Sequence, residues 1–295
     1  MSQSQSGRKR FNVGRLPMYL FVGVWAATEL YVLLWAVLGS FKTTAQINAN
    51  PFGLPTSLSF GSYYQDLTGG GELNVPLGSF LIHSSIVVFG SMILILLISV
   101  PAGYAISRKS KINTAVFYLM LAMIAIPPAA LLIPEVFLVK DLGVLFGAGS
   151  QGFLNNFIGL ILPYVAFNIP FSIVLARAFF RSFPHDLEEA GRIDGLGELG
   201  IFRRIVLPMS PIVVVVLLIV NFPTMWNELL YTLIILSSNS VKTAQPGLLL
   251  YEGAYYVSWS NVFAGIILVS LPMMIFYIIF QRYILKAQFV GAIKG

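Results

Sequence analysis

The sequence predicts an all-α, polytopic membrane protein with six transmembrane helices, and three observations predict it. Of its 295 residues, 57% are hydrophobic and 10% charged, against the ~25% charged residues usual in soluble domains. Mean hydropathy is +0.83, and a soluble chain of this length has no core large enough to hide such an apolar excess. Six stretches reach the ~20 apolar residues that cross a bilayer, at about 17–38, 80–106, 112–134, 152–176, 205–235 and 261–281. These observations exclude a soluble enzyme and a disordered chain. No blocks of ten residues alternate with period two, which argues against a β-barrel.

The elements follow in order. A basic tail with Arg8, Lys9, Arg10 and Arg15 precedes the first span, which carries Glu29. That span outruns the ~7–15-residue apolar run of a cleaved leader, so it reads as a signal-anchor. The loop at 39–78 holds Pro51, Pro55 and Gly69-Gly70-Gly71 and predicts an extended, turn-rich cap. The second, third, fourth and sixth spans contain no Asp, Glu, Lys or Arg. The other outer loops are expected at 135–151 and 236–260. Pro127-Pro128, Pro134, Pro163, Pro170, Pro223 and Pro272 interrupt backbone hydrogen bonding inside the spans. They fit either ordinary kinked packing or a bundle bent around a path.

Fifteen of the 18 basic residues fall in the tails and the even-numbered connections; Lys42, Lys140 and Lys242 are the exceptions. The positive-inside rule therefore places both termini in the cytoplasm. The net charge of +6 is a sidedness signal, which leaves nucleic acid without support. Zero Cys and two His, His83 and His185, exclude thiol chemistry and leave no metal or cofactor site to propose. No paired carboxylates or nucleophile–base pair sit in a soluble pocket, so the reading is not an enzyme, and no catalytic residue is assigned.

Ionisable groups at membrane depth are functional candidates. Glu29 is one, and Glu228 is another, in a run that includes Asn221, Trp226 and Asn227. Trp, Asn and Glu together suit a sugar, with a flat face for C–H groups and amide and carboxylate for hydroxyls. The same set also suits an interfacial aromatic belt. Tyr164 and Asn168 in the fourth span are further solute-path candidates of this kind.

The connection 177–207 holds ten of the thirty charged residues. Pro184 opens a short helix whose first turn gathers Asp186, Glu188 and Glu189 at the positive helix end. Leu187, Ala190, Gly191 and Asp194 share one side, a small surface that lets another chain approach closely. Gly195 is placed to take a positive φ and end the helix. A second helix follows, with Leu199, Phe202 and Val206 on one face, ending at Pro208. Residues 195–200 also match G-x-G-x-x-G, but without a preceding strand the match carries no dinucleotide site.

Glu189-Ala190-Gly191, Asp194-Gly195 and Ile205-x-Leu207-Pro208 resemble the EAA signature of binding-protein-dependent ABC transporter permeases. Ile126-Pro127-Pro128, Leu132-Ile-Pro134, Leu142-Gly143, Gly159 to Tyr164, Trp226-Asn227-Glu228 and the ending Gly291-x-x-Lys-Gly295 are similar to the carbohydrate-uptake subfamily, of the maltose-permease type. Gly191 stands where that family usually has Ala. The resemblance covers about Ser79 to Gly295 and implies a permease core at 79–290 and a tail at 291–295. The segment before it matches only in having a membrane span, and the charge and span pattern reads it as a cytoplasmic tail at 1–16 and a first helix and outer loop at 17–78. It implies that the 177–207 loop seats in a separate ATPase subunit. Glu188, Glu189 and Asp194 would make polar contacts, Ala190 and Gly191 close packing, Gly195 a hinge, and Leu199 and Phe202 the second helix face. The chain has no G-x-x-x-x-G-K-[ST], so ATP and magnesium would belong to that partner. A homologous permease subunit in a heterodimer, two ATPases, an extracytoplasmic solute-binding protein, and the inner membrane of a bacterium or archaeon complete the expectation. The C-terminal 289–295 segment would also reach the ATPases. The alternatives are an ion-coupled secondary transporter of a small polar solute, which would need a relay of acids and an internal repeat, and a non-transporting scaffold.

Overall fold

The computed structural model describes residues 16–70, 74–251 and 257–292, with side chains to 283. The N-terminal basic cluster, Gly71, Lys286 (as a side chain) and the 293–295 end lie outside the described residues. Every described element is helical.

Apolar length makes α1 (Leu16–Ser40), but almost all of its surface is exposed, and its packing within the chain is against the last helix. Trp35 meets Phe263 edge-on at 4.9 Å. The loop predicted as extended folds instead into α2 (Thr44–Ala49) and α3 (Gly61–Thr68). Thr43 and Gln46 form a reciprocal capping box at the start of α2, and Gly69 ends α3 at φ +76°.

The centre of the bundle is α4 (Leu77–Ser107) packed along α7 (Phe157–Phe180). Between membrane helices the hydrophobic effect adds little, so close approach and polar side chains hold the pair. A Cβ at Gly103 would lie 2.5 Å from the Ala176 Cβ, so glycine sets that crossing distance. Ser172 of α7 and Asn221 of α11 (Pro211–Trp226) exchange buried hydrogen bonds.

Prolines act unevenly. Pro101, Pro134, Pro163, Pro170, Pro223 and Pro272 stay inside continuous helices. Pro127-Pro128 instead turns the chain by 98° between α5 (Lys111–Ile124) and α6 (Pro128–Leu145). The expected third span is therefore a bent pair, and α6 runs through most of the expected 135–151 loop. The fifth span is also revised. α8 (His185–Ile193) leads to α9 (Glu198–Ile201), a π-turn at Phe202–Val206 and α10 (Leu207–Met209). The chain then bends 71° at Ser210 into α11. α12 (Leu230–Ile235) follows after a break, then α13 (Ala244–Leu248) and α14 (Trp259–Ala292). Among the described residues, four helices are long and apolar enough to cross a membrane, or up to six spans if each bent pair counts as one.

Among the described residues, three apolar clusters hold the bundle. One forms around Ile95, Leu160, Phe222 and Trp226. One lies beneath the 177–207 loop around Tyr104, Phe180, Ile201 and Val206. The third lies at the opposite, cap end around Leu77, Phe80 and Tyr251.

Candidate functional site

Two places draw the sequence candidates together. The first is the break between α11 and α12. Ending α11 at Trp226 leaves the first N–H groups of α12 without intrahelical partners. Glu228 supplies them: Oε1 accepts from the Tyr231 N–H at 3.0 Å and Oε2 from the Thr232 N–H at 3.3 Å. Oε2 also accepts from Tyr164 Oη at 3.1 Å and Thr232 Oγ1 at 3.1 Å. The carboxylate is thus fixed by a helix start and by α7. Asn168, one turn beyond Tyr164, donates to the Tyr164 carbonyl at 2.7 Å and lies 3.5 Å from Thr224 Oγ1.

A cavity of about 440 Å³ opens on these groups, lined by Tyr164, Phe167, Asn168, Thr224, Glu228 and Tyr231. Phe167 and Tyr231 meet edge to face at 5.7 Å, giving it an aromatic wall. The volume suits a small polar ligand of sugar size.

The other solute candidates stand elsewhere. Trp226 is buried, its Nε1 donates to the Val269 carbonyl at 3.0 Å, and its ring stacks on Phe222. Its ring does not line this cavity. Asn221 is spent on Ser172 and the Leu217 carbonyl. Asn227 is exposed and accepts from Gln245. Glu29 lies on the exposed surface of α1, away from the cavity. The sequence reading missed Phe167, Thr224 and Tyr231. The spacing of Tyr164, Phe167 and Asn168 at i, i+3 and i+4 was the available signal.

The second place is the 177–207 loop. Asp186 and Glu188 sit in the first turn of α8 and Arg192 in the last, complementing the helix dipole. The helix ends in a Schellman motif: the Leu196 N–H reaches the Gly191 carbonyl, the Gly195 N–H reaches that of Arg192, and Gly195 has φ +82°. Arg192 Nε then donates to Glu198 at 2.9 Å across the turn, holding the Glu198 carboxyl below its ordinary range.

The loop's two sides differ. Glu189, Ala190, Ile193, Asp194 and Gly195 are exposed. Glu188 and Gly191 turn inward instead. Glu188 is 2% exposed and pairs with Arg108 at the end of α4. Gly191 is covered by Ile205 and Ile201, and a Cβ there would lie 2.7 Å from Ile205 Cδ1. Its small size serves packing between α8 and the next helix, a correction to its place on an outward face. Leu199 is 61% exposed while Phe202 is half-buried and Val206 fully buried. Leu199 therefore does not share the inward side that Phe202 and Val206 take, and the π-turn runs between the latter two. Tyr104 joins this end from α4, meeting Phe180 at 5.6 Å and Phe202 at 5.1 Å.

The family described as "Binding-protein-dependent transport system inner membrane component" matches residues 95–289. The chain is 30% identical to the "Probable ABC transporter permease protein YurM" of Bacillus subtilis over 98% of this chain and 91% of that protein. It is 30% identical to the "Diacetylchitobiose uptake system permease protein NgcG" of Streptomyces coelicolor, over 92% and 86% respectively. Its fold matches a chain of a bacterial ABC transporter involved in importing the acidic polysaccharide alginate, with TM-score 0.76, 20% identity and coverage of 96% and 99%. With the EAA-type loop at 177–207 inside the matched region, the chain belongs to the family of binding-protein-dependent transport system inner membrane components.

Proposed function

We propose that this permease subunit imports a carbohydrate, and that the cavity between Tyr164 and Glu228 forms part of the solute path. The observation that carries this reading is the pairing of a fixed carboxylate, a phenol and an amide with the Phe167–Tyr231 wall. Sugars present hydroxyls at their edges and C–H groups on their faces, and this lining matches both. The uptake of diacetylchitobiose named for one relative supports the same substrate class.

A multi-pass permease of an ABC importer works with an ATPase and a substrate-binding protein. In this reading the exposed residues Glu189, Ala190, Asp194 and Gly195 meet a groove of the ATPase, which holds the ATP and magnesium. Both termini lie on the ATPase side, in the cytoplasm, and a homologous subunit completes the path as a heterodimer. Closure of two ATPases pulls on α8. Glu188 passes the displacement to α4 through Arg108, and the cluster of Tyr104, Phe180, Ile201 and Val206 passes it to α7 and α11. The bundle then alternates access as rigid bodies.

The test is uptake of labelled oligosaccharides into proteoliposomes holding the complete complex and its binding protein. Uptake that requires ATP and survives collapse of ion gradients is expected. Uptake driven by an ion gradient with the ATPases absent would establish the secondary-transporter alternative, and no uptake at all by an intact, ATP-hydrolysing complex would leave a scaffold.

A further inference from the structure

Where α4, α5 and α7 converge at the loop end, a cavity of about 700 Å³ is lined by Arg108, Lys109, Lys111, Arg177 and Arg181. A neighbouring pocket of about 340 Å³ extends from Arg108, Lys109 and Arg181 to His185. Among the described residues, no carboxylate lines either one. Among the described residues, Arg108 alone of the five has an ion-pair partner, Glu188. Arg177 and Arg181 stand one helical turn apart, a spacing at which like charges repel. Such a convergence of cations favours an anion between them.

Arg177 is built in rather than free. Its Nε donates to the Ile106 carbonyl at 3.1 Å and its guanidinium lies 3.8 Å over the Phe117 ring. These contacts leave its terminal nitrogens without a hydrogen-bond partner among the described residues. A guanidinium so oriented offers a fork to phosphate oxygens.

The surroundings choose the source of the phosphate. Phe117 and Tyr118 of α5 form one wall of the cavity. α5 buries none of its residues, and Ile112, Tyr118, Leu119 and Leu121 are exposed along it. An apolar, outward-facing helix thus leads directly away from a cationic pocket at the membrane edge. A free anion would use only the pocket, whereas a phosphate ester with acyl chains would use both. We propose that this cavity binds the phosphate of an anionic phospholipid, with the acyl chains lying along α5. Basic pockets between helix ends at a membrane face are suited to such headgroups.

The experiment uses the complete complex, delipidated in detergent and offered phosphatidylglycerol, phosphatidylcholine or inorganic phosphate. Retained lipid is counted by native mass spectrometry, and melting is followed in parallel. Phosphatidylglycerol is expected to be retained and to raise the melting temperature, with phosphatidylcholine and inorganic phosphate doing neither. The double variant Lys111→Gln, Arg181→Gln should weaken retention by about tenfold or more, since each cation near the surface contributes on that scale. Both residues are exposed, so the fold does not depend on them, and recovery of the assembled complex verifies this. The double variant Arg203→Gln, Arg204→Gln removes the same charge outside the cavity and should retain lipid as the parent does. Equal retention of the two lipids, undiminished retention in the first double variant, or stabilisation by inorganic phosphate equal to that by phosphatidylglycerol would each overturn the proposal.

Discussion

Arg108, capping the end of α4, donates to the carboxylate of Glu188 in the first turn of α8, eighty residues further along the chain. Glu188 is almost fully buried, and Arg108 also donates to Tyr104 Oη. The pair makes α8 an extension of α4 rather than a loop resting on it.

Removing Arg108 strands the Glu188 carboxylate in a nearly dry site, at a cost of about 3 kcal/mol, whereas removing Glu188 leaves Arg108 about a quarter exposed and costs less. Glu188→Gln and Arg108→Gln are each expected to lower the melting temperature of the purified complex. They should also uncouple ATP hydrolysis from stimulation by loaded binding protein. A joint Arg108→Met, Glu188→Leu replacement should recover most of the melting temperature but not the coupling. A melting curve unmoved by either single change would show the pair to be incidental.

Gly191 and Gly195 are glycines for different reasons, and substitution separates them. At Gly191 the obstacle is the flexible end of Ile205, so Gly191→Ala should be nearly silent. Gly191→Leu should overpack the joint by about 1–3 kcal/mol. At Gly195 no atom lies within 4 Å of an added Cβ, but φ is +82°. Gly195→Ala should therefore cost about 1 kcal/mol through backbone strain alone. Thermal melts of the three variants give the ranking, and a Gly191→Ala loss larger than that of Gly191→Leu would contradict it.

Glu228 is expected to matter for transport more than for assembly. Glu228→Ala removes a hydrogen-bonded charge from the cavity and should slow uptake by about tenfold or more. Glu228→Gln should keep part of the Tyr164 contact and lose less. Size-exclusion profiles verify assembly, and uptake rates read the effect. Parental kinetics in Glu228→Ala would remove the cavity from the solute path.

The cap end carries a pH signature. Asp66 of α3 is buried, and burial pushes its carboxyl from 3.8 up to about 6, although the Asn261 amide donates to Oδ1 at 2.7 Å. The folded cap therefore holds this proton more tightly than the unfolded chain does. Its contribution to stability is fully present below about pH 4, declines as pH rises through about 6, and is level above. Asp66→Asn should remove that decline from a pH series of melting temperatures. An unchanged slope in the variant would assign the titration to another group.

Much of this architecture was legible in sequence because it is written locally. Apolar length marked α1, α4, α7 and α14, and Gly195 announced its own positive φ. The Pro127-Pro128 pair lay in plain view, yet its 98° turn was not separable from prolines such as Pro163 that helices absorb. Neighbouring helices decide which freed carbonyls find partners. Pairing across the chain was equally silent. Arg108 looked like one more topology charge, and Trp226 like a sugar platform, until packing placed one on Glu188 and the other on Val269. Leu199 and Phe202, three residues apart, promised a shared face, yet Leu199 is exposed and Phe202 half-buried, a difference that packing sets.

The central claim is that the exposed side of α8 seats in the partner ATPase, and the chain contains no cysteine to complicate its test. Ala190→Cys, carrying a cysteine-directed photo-crosslinker in the intact complex, should give an adduct with the ATPase subunit whose yield changes with nucleotide. Crosslinking only to lipid or to this chain itself, while the ATPase remains bound, would contradict it.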